Sequence, residues 1–230
     1  MAILLYELVG ADPKRPFSPH CWKAAMALAH KNLPFKSVPT PFTEVATLEN
    51  GSGRTVPLIR DDDRLVGDSF EIALYLEKAY PDRPTLFGGA GGQAMARFVE
   101  RWTQTVVHGF IGGALLADIN ACLAAPDQAY FRRSREARFG KTLEEAGAGR
   151  HEGLEGFRKQ LEPLRATLAV QPFLGGQGPL FCDYIVFGAF QWARVVSSFR
   201  LLDADDPVAA WLERCLALHD GLAGRVPAAA

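Results

Sequence analysis

The sequence predicts a small mixed α/β unit followed by a larger all-α bundle. Roughly the first eighty residues alternate strand and helix signals in the order β-α-β-α-β-β-α. Past Gly92 the strand signals stop and long helical patterns take over. Between the two, Pro81-Asp82-Arg83-Pro84 and Gly88-Gly89-Ala90-Gly91-Gly92 read as a turn and a flexible linker. The divisions expected are residues 1–83, a linker over 84–92, and helices over 93–230.

Ile3 to Leu8 is a short β-like run, and Gly10-Ala11-Asp12-Pro13 breaks it. Ser18 stands before a helical run ending near His30, with Pro19 at the first helical position and Trp22, Ala25, Met26 and Ala29 on one face. Phe35 to Val38 is a second strand. Pro39 to Gly53 is a loop with a short helix around Glu44 to Leu48. Val56 to Arg60 and Arg64 to Val66 form a hairpin across Asp61-Asp62-Asp63. Ser69 to Ala79 closes the unit, with parallel pairing across the first crossover. The bundle is expected as helices over roughly Gln93 to Ala124, Asp127 to Ala146, His151 to Leu168, Leu180 to Phe199 and Asp206 to Ala223.

A chain of 230 residues with 48% apolar and 22% charged side chains can bury a proper core. Twenty-five basic against 26 acidic side chains mark neither a nucleic-acid binder nor a membrane-surface protein. The run Met1 to Glu7 lacks a basic flank and is too short for a signal peptide, and no apolar stretch approaches a bilayer span. Cys21, Cys122, Cys182 and Cys215 are widely separated, without Cys-x-x-Cys or zinc-like His spacing. Neither a metal nor a structural disulfide is expected, and the compartment expected is the cytoplasm.

The most informative stretch is Arg54-Thr55-Val56-Pro57-Leu58-Ile59, followed eleven residues after Pro57 by Asp68-Ser69. Pro at a strand start costs no ladder donor, and its X-Pro bond is a candidate for the cis form. Asp68-Ser69 opens an amphipathic run, so its side chains and free amides gather at a helix N-terminus, an anion-receiving geometry. Together these can hold a short peptide by main-chain pairing and by its terminal charges. With Phe17-Ser18-Pro19-His20-Cys21-Trp22-Lys23 upstream, the pattern resembles the glutathione site of the glutathione transferase superfamily.

The resemblance extends over essentially the whole chain and implies a thioredoxin-like N-terminal domain and an all-α helical C-terminal domain. The Phe-Ser-Pro-His-x-Trp-Lys segment resembles the serine-type branch and, within it, bacterial relatives of the β-etherases that cleave lignin-type aryl ethers. Cys182-Asp183-Tyr184-Ile185 and Asp205-Asp206-Pro207-Val208-x-x-Trp211-Leu212 resemble the same group. One departure concerns folding: the family's Ser or Thr cap on the buried sixth helix is Leu180 here, while Asp183 is kept.

The resemblance implies a cytoplasmic homodimer that uses glutathione as cosubstrate against a small, electrophilic aromatic molecule, with aryl-ether cleavage as a narrower version. Ser18 would donate its hydroxyl to the glutathione thiolate. Lowering a thiol pKa by about two units takes roughly 2.7 kcal/mol. One charge-assisted bond plus a helix dipole, about 1.5–3 kcal/mol, is of that size. Tyr6, near the end of the first strand, is the rival hydroxyl, and Cys21 the candidate for thiol-disulfide exchange, although a buried, inert thiol is the plainer expectation. His20 reads as a polar neighbour of the site or, more plainly, as an exposed first-turn histidine. Val56 beside Pro57 would pair with the cysteinyl part, Asp68 and Ser69 would take the γ-glutamyl end, and Arg54, Lys36 or Thr43 the glycyl carboxylate. Trp102, Val106 and Phe110, with Trp192, would supply surface to the second substrate, although bundle core is the plainer reading at helical spacing, and His108 on the same helix is a candidate acid or a surface or packed histidine. Arg132-Arg133-Ser134-Arg135 reads as a solvated helix face. The alternatives are a non-catalytic glutathione binder that sequesters ligands, and a glutathione-dependent isomerase or thiol oxidoreductase.

Overall fold

The computed structural model describes residues 2–230. Strand β1 (Ile3–Leu8) is buried along almost its whole length, as a central strand covered on both faces must be. The crossover helix α1 (Pro19–His30) returns the chain to β2 (Phe35–Thr40), which runs parallel to β1 with Ile3 opposite Phe35. A 3₁₀ turn (Phe42–Thr47) and the short α2 (Leu48–Gly51) lead to β3 (Leu58–Asp61), antiparallel to β1 with Tyr6 opposite Leu58. β4 (Arg64–Gly67) completes a four-stranded sheet of order β2-β1-β3-β4, and α3 (Ser69–Ala79) packs back on α1. This is the thioredoxin-like arrangement. The third strand starts at Leu58, not Val56, because Pro57 has no N–H to give the ladder. The Val56–Pro57 bond is cis.

The bundle opens with α4 (Ala90–Ala114), which begins inside the segment expected as a linker. Gly91 and Gly92 form its first turn. A Cβ on Gly92 would lie 1.8 Å from the Phe87 carbonyl oxygen, so this glycine permits a close backbone approach rather than flexibility. The helix expected over Gln93 to Ala124 breaks at Leu115 (φ −114°, ψ 16°) and resumes as α5 (Leu116–Ala121). The next pattern divides into α6 (Ala125–Phe139), ended by left-handed Gly140, and α7 (Leu143–Gly147), started by reciprocal capping between Thr142 and Glu145. The third divides into α8 (Arg150–Gln160) and α9 (Glu162–Leu168), with Pro163 in the first turn of the latter.

Helix α10 (Phe181–Val196) runs buried through the bundle, and α11 (Pro207–Gly221) packs beside it behind an Asp206 cap. Leu180 occupies the cap position of α10 as expected, and its side chain offers no oxygen. Asp183 compensates: its fully buried carboxylate accepts from the amides of Leu174 (2.7 Å), Gly175 (2.9 Å) and Leu180 (3.0 Å), and from Trp211 Nε1 (3.0 Å). Farther along α10, a Cβ on Gly188 would sit 2.3 Å from the Pro19 carbonyl oxygen. The bare backbone there lets the N-terminus of α1, which carries Ser18, rest directly on the bundle.

Candidate functional site

Ser18 caps α1 with an extended backbone (φ −61°, ψ 127°), and its Oγ accepts from the Cys21 amide at 3.4 Å. Around the hydroxyl, at a helix N-terminus, the partners are the amide and the thiol of Cys21. Ser18 opens onto a cavity of about 730 Å³. The 3₁₀ turn supplies Phe42 and Val45 to the wall, the segment before β3 supplies Arg54, Thr55 and Val56, and α4 supplies Gln104, His108, Gly109 and Gly112. Helix α6 supplies Tyr130, Phe131, Arg135, Arg138 and Phe139, and α10 supplies Trp192. The buried Asp127 carboxylate accepts the Phe42 and Thr43 amides at 2.7 and 2.9 Å, tying the 3₁₀ turn to the start of α6.

The structure brings Ser18, Arg54 and Val56 to one cavity, and the backbone of Val56 stands outside the β3 ladder. Pro57 lies buried just behind. Asp68 and Ser69 do not line this cavity. Asp68 Oδ1 accepts the Phe70 and Glu71 amides at 2.8 and 3.1 Å as the cap of α3, while the Ser69 amide keeps its proton free. Tyr6 is placed differently: buried in β1, it donates to the Glu49 carboxylate and lines no part of the cavity. Burial first, then that carboxylate, holds its hydroxyl pKa above normal. Cys21 is fully buried and its thiol is pushed up to about 12, chiefly by desolvation, so it is no exchange nucleophile.

Trp102, Val106 and Phe110 do not line the cavity either. Each stands two positions from Gln104, His108 or Gly112, and two residues turn a helix by about 200°. They are partly buried and pack against the edge of the core, where Phe110 stacks on Phe157 at 4.5 Å. Lys36 and Thr43 are not in the wall. His20, expected to be exposed, is instead half-buried in the wall with its ring 5.3 Å from that of His108, which lies 5.8 Å from Trp192. Burial pushes both imidazoles down to about 3, assisted by Lys23 and, for His108, by His20, so both are neutral at neutral pH. His108 Nε2 is buried without a protein partner.

The run Arg132 to Arg135 is a solvated face only in part. Arg132 pairs with Glu136 and Glu144, both at 2.8 Å, whereas Arg135 turns into the cavity. The signal for this was in the sequence: Phe131, Arg135 and Arg138 recur at i, i+4 and i+7, one stripe of a helix. Among the described residues no group of three His, Cys, Asp or Glu side chains could hold a metal ion, and no helix is long and apolar enough to cross a membrane.

Two family models match the chain: the glutathione S-transferase N-terminal domain over residues 13–84, and the glutathione S-transferase C-terminal domain over residues 94–218, more than half of the sequence. The chain belongs to the glutathione S-transferase family. It is 24% identical to the glutathione S-transferase-like protein ustS of Aspergillus flavus, over 78% of this chain and 75% of that protein. Its fold is similar to that of a Ceriporiopsis subvermispora glutathione S-transferase solved in complex with glutathione (TM-score 0.79, 23% identity, 96% of this chain and 97% of that one). It is similar also to glutathione transferase GSTFuA3 of Phanerochaete chrysosporium (TM-score 0.76, 25% identity, 98% and 94%).

Proposed function

We propose that this protein binds glutathione beside Ser18 and activates its thiolate for attack on a small, electrophilic, aromatic molecule. The observation that carries the reading is the Ser18 hydroxyl, whose proton stands at a helix N-terminus in the wall of a cavity. Donated to a thiolate, that proton and the helix dipole favour the charged sulfur. The backbone of Val56 is free to pair with the cysteinyl unit, and Arg54 carries no carboxylate partner of its own and suits the glycyl carboxylate. The γ-glutamyl end is assigned to Asp68 and Ser69 at the start of α3, beyond the cavity wall. Once the thiolate attacks carbon, the leaving group departs with the bonding electrons. In aryl-ether cleavage, a narrower version that the aromatic lining suits, the leaving group is a phenolate.

The test is a pH titration of thiolate absorbance for glutathione bound to the purified protein. A bound thiol pKa at least a unit below the usual 8.5 supports an activating enzyme. Binding with an unshifted pKa would make the protein a glutathione binder, and no binding would remove the reading altogether. A cytoplasmic homodimer completes the proposal. Phe98 and Met95, 65% and 58% exposed on α4, form an apolar surface that a second copy would cover. Phe98→Asp is expected to shift a sedimenting dimer to monomer, and an unchanged dimer would place the contact elsewhere.

A further inference from the structure

We propose that the electrophile taken by this cavity carries a negative charge, a carboxylate or sulfonate on its aromatic ring, and that Arg135 and Arg138 receive it. This rests on the transferase reading above and names its substrate class. The wall contains three charged side chains, Arg54, Arg135 and Arg138, and not one carboxylate. Arg132, Arg150, Arg158 and Arg165 in the same bundle each pair with an acid, at 2.8 Å. Arg135 and Arg138 have none. Arg135 donates once to the Ser134 hydroxyl at 3.0 Å and otherwise lies against the rings of Phe131 (4.7 Å) and Phe42 (5.9 Å), and Arg138 lies 5.8 Å from the ring of Phe139.

Two guanidinium groups held near each other, one of them half-buried, are an unfavourable arrangement until an anion arrives. The cost is visible at Arg135, whose pKa burial lowers first and the charge of Arg138 lowers further. His20 and His108, neutral at working pH, offer no competing cation. Most N–H groups of the Arg135 fork remain free, a geometry suited to a bidentate oxyanion. The aromatic requirement comes from the surface between the two ends. Phe17, next to Ser18, leads to Phe42 (6.2 Å), and Phe42 to Phe131 (5.7 Å) and Tyr130 (6.1 Å), beside the arginines. A flat ring along that path would put its reactive carbon toward Ser18 and its charge toward α6. Glutathione's own carboxylates are matched to Arg54 and the start of α3, which leaves the α6 pair for the second substrate.

The experiment compares 4-chloro-3,5-dinitrobenzoate with its methyl ester. In both, the glutathione sulfur bonds to the ring carbon and chloride leaves with the electron pair. With each kcat/KM divided by the uncatalysed rate, the acid is expected to exceed the ester by about tenfold, the size of one charge-assisted bond. Arg135→Gln and Arg138→Gln should each shrink that ratio, and the double variant should bring it near one with the KM for glutathione unmoved. Arg133→Gln, exposed on the same helix and outside the wall, should keep the ratio. A wild-type ratio near one overturns the proposal. So does a raised glutathione KM in the arginine variants, which would assign the pair to glutathione. Absence of turnover with both probes counts against the transferase reading alone, and calorimetric binding of 3,5-dinitrobenzoate against its methyl ester then decides: tighter binding of the acid, lost in the double variant, supports the arginines, and equal binding refutes them.

Discussion

A hydroxyl that accepts from one backbone amide can turn its proton toward a ligand, and Ser18, whose other neighbour is the weakly accepting Cys21 thiol, is so placed. A single charge-assisted bond contributes about 1.5–3 kcal/mol, and each pKa unit corresponds to about 1.36 kcal/mol. Ser18→Ala should therefore raise the pKa of the bound glutathione thiol by about 1–2 units, read from the same thiolate absorbance. The variant also loses a helix cap, which costs about 1 kcal/mol of stability, so its unfolding midpoint must be measured beside the titration. Ser18→Thr, which keeps the hydroxyl, should restore most of the shift. Tyr6→Phe should leave the thiol untouched, because the Tyr6 hydroxyl is committed to Glu49. The opposite pattern, with the alanine variant silent and the phenylalanine variant active, would hand the role to Tyr6.

At the scale of elements, the position of Ser18 depends on α10, against which α1 rests at Gly188. Asp183 anchors that helix by joining four donors from three segments of chain. Asp183→Ala would leave those donors buried and unpaired, so a loss of about 3–5 kcal/mol is expected in urea unfolding. A loss below about 1 kcal/mol would show that the carboxylate is not the anchor. Local sequence rules reached much of this architecture because local forces set it. A near-continuous apolar run made β1, Pro19 behind Ser18 started α1, and the Asp68 cap started α3 with the bounds expected. The long helical patterns hid three extra boundaries because apolar spacing continues across a break. What stops α4 at Leu115 is a backbone conformation (φ −114°) that no residue type announces. The cavity face of α4 was missed for a related reason. Its Gln104, His108, Gly109 and Gly112 leave room for ligand, while the more apolar stripe of Trp102, Val106 and Phe110 lies partly buried along the edge of the core.

For the whole molecule, the junction between the sheet unit and the bundle is built with neutral histidines, and its stability must respond to acid. His30 Nδ1 lies 2.7 Å from the Tyr184 hydroxyl, which lies 3.1 Å from His219 Nε2, linking α1, α10 and α11. Burial lowers the pKa of His30, pushes His219 down to about 4, and pushes His20 and His108 to about 3. Above about pH 6.5 these rings are neutral both folded and unfolded and contribute no pH dependence. As pH falls below 6.5 the unfolded chain takes up protons that the folded one refuses, so stability is lost as pH falls toward the lowered folded values. Glu7 acts in the opposite sense. Burial pushes its carboxyl up to about 7, against the lowering effect of the Ser37 hydroxyl, so its contribution falls as pH rises from about 4.5 to 7. The histidines outnumber Glu7, so near pH 5 the unfolded chain binds more protons than the folded one and stability falls as pH falls. Urea midpoints measured from pH 6.5 to 5 should fall steeply, and His219→Gln should flatten the curve. A profile level across that window would mean that the junction admits protons while folded.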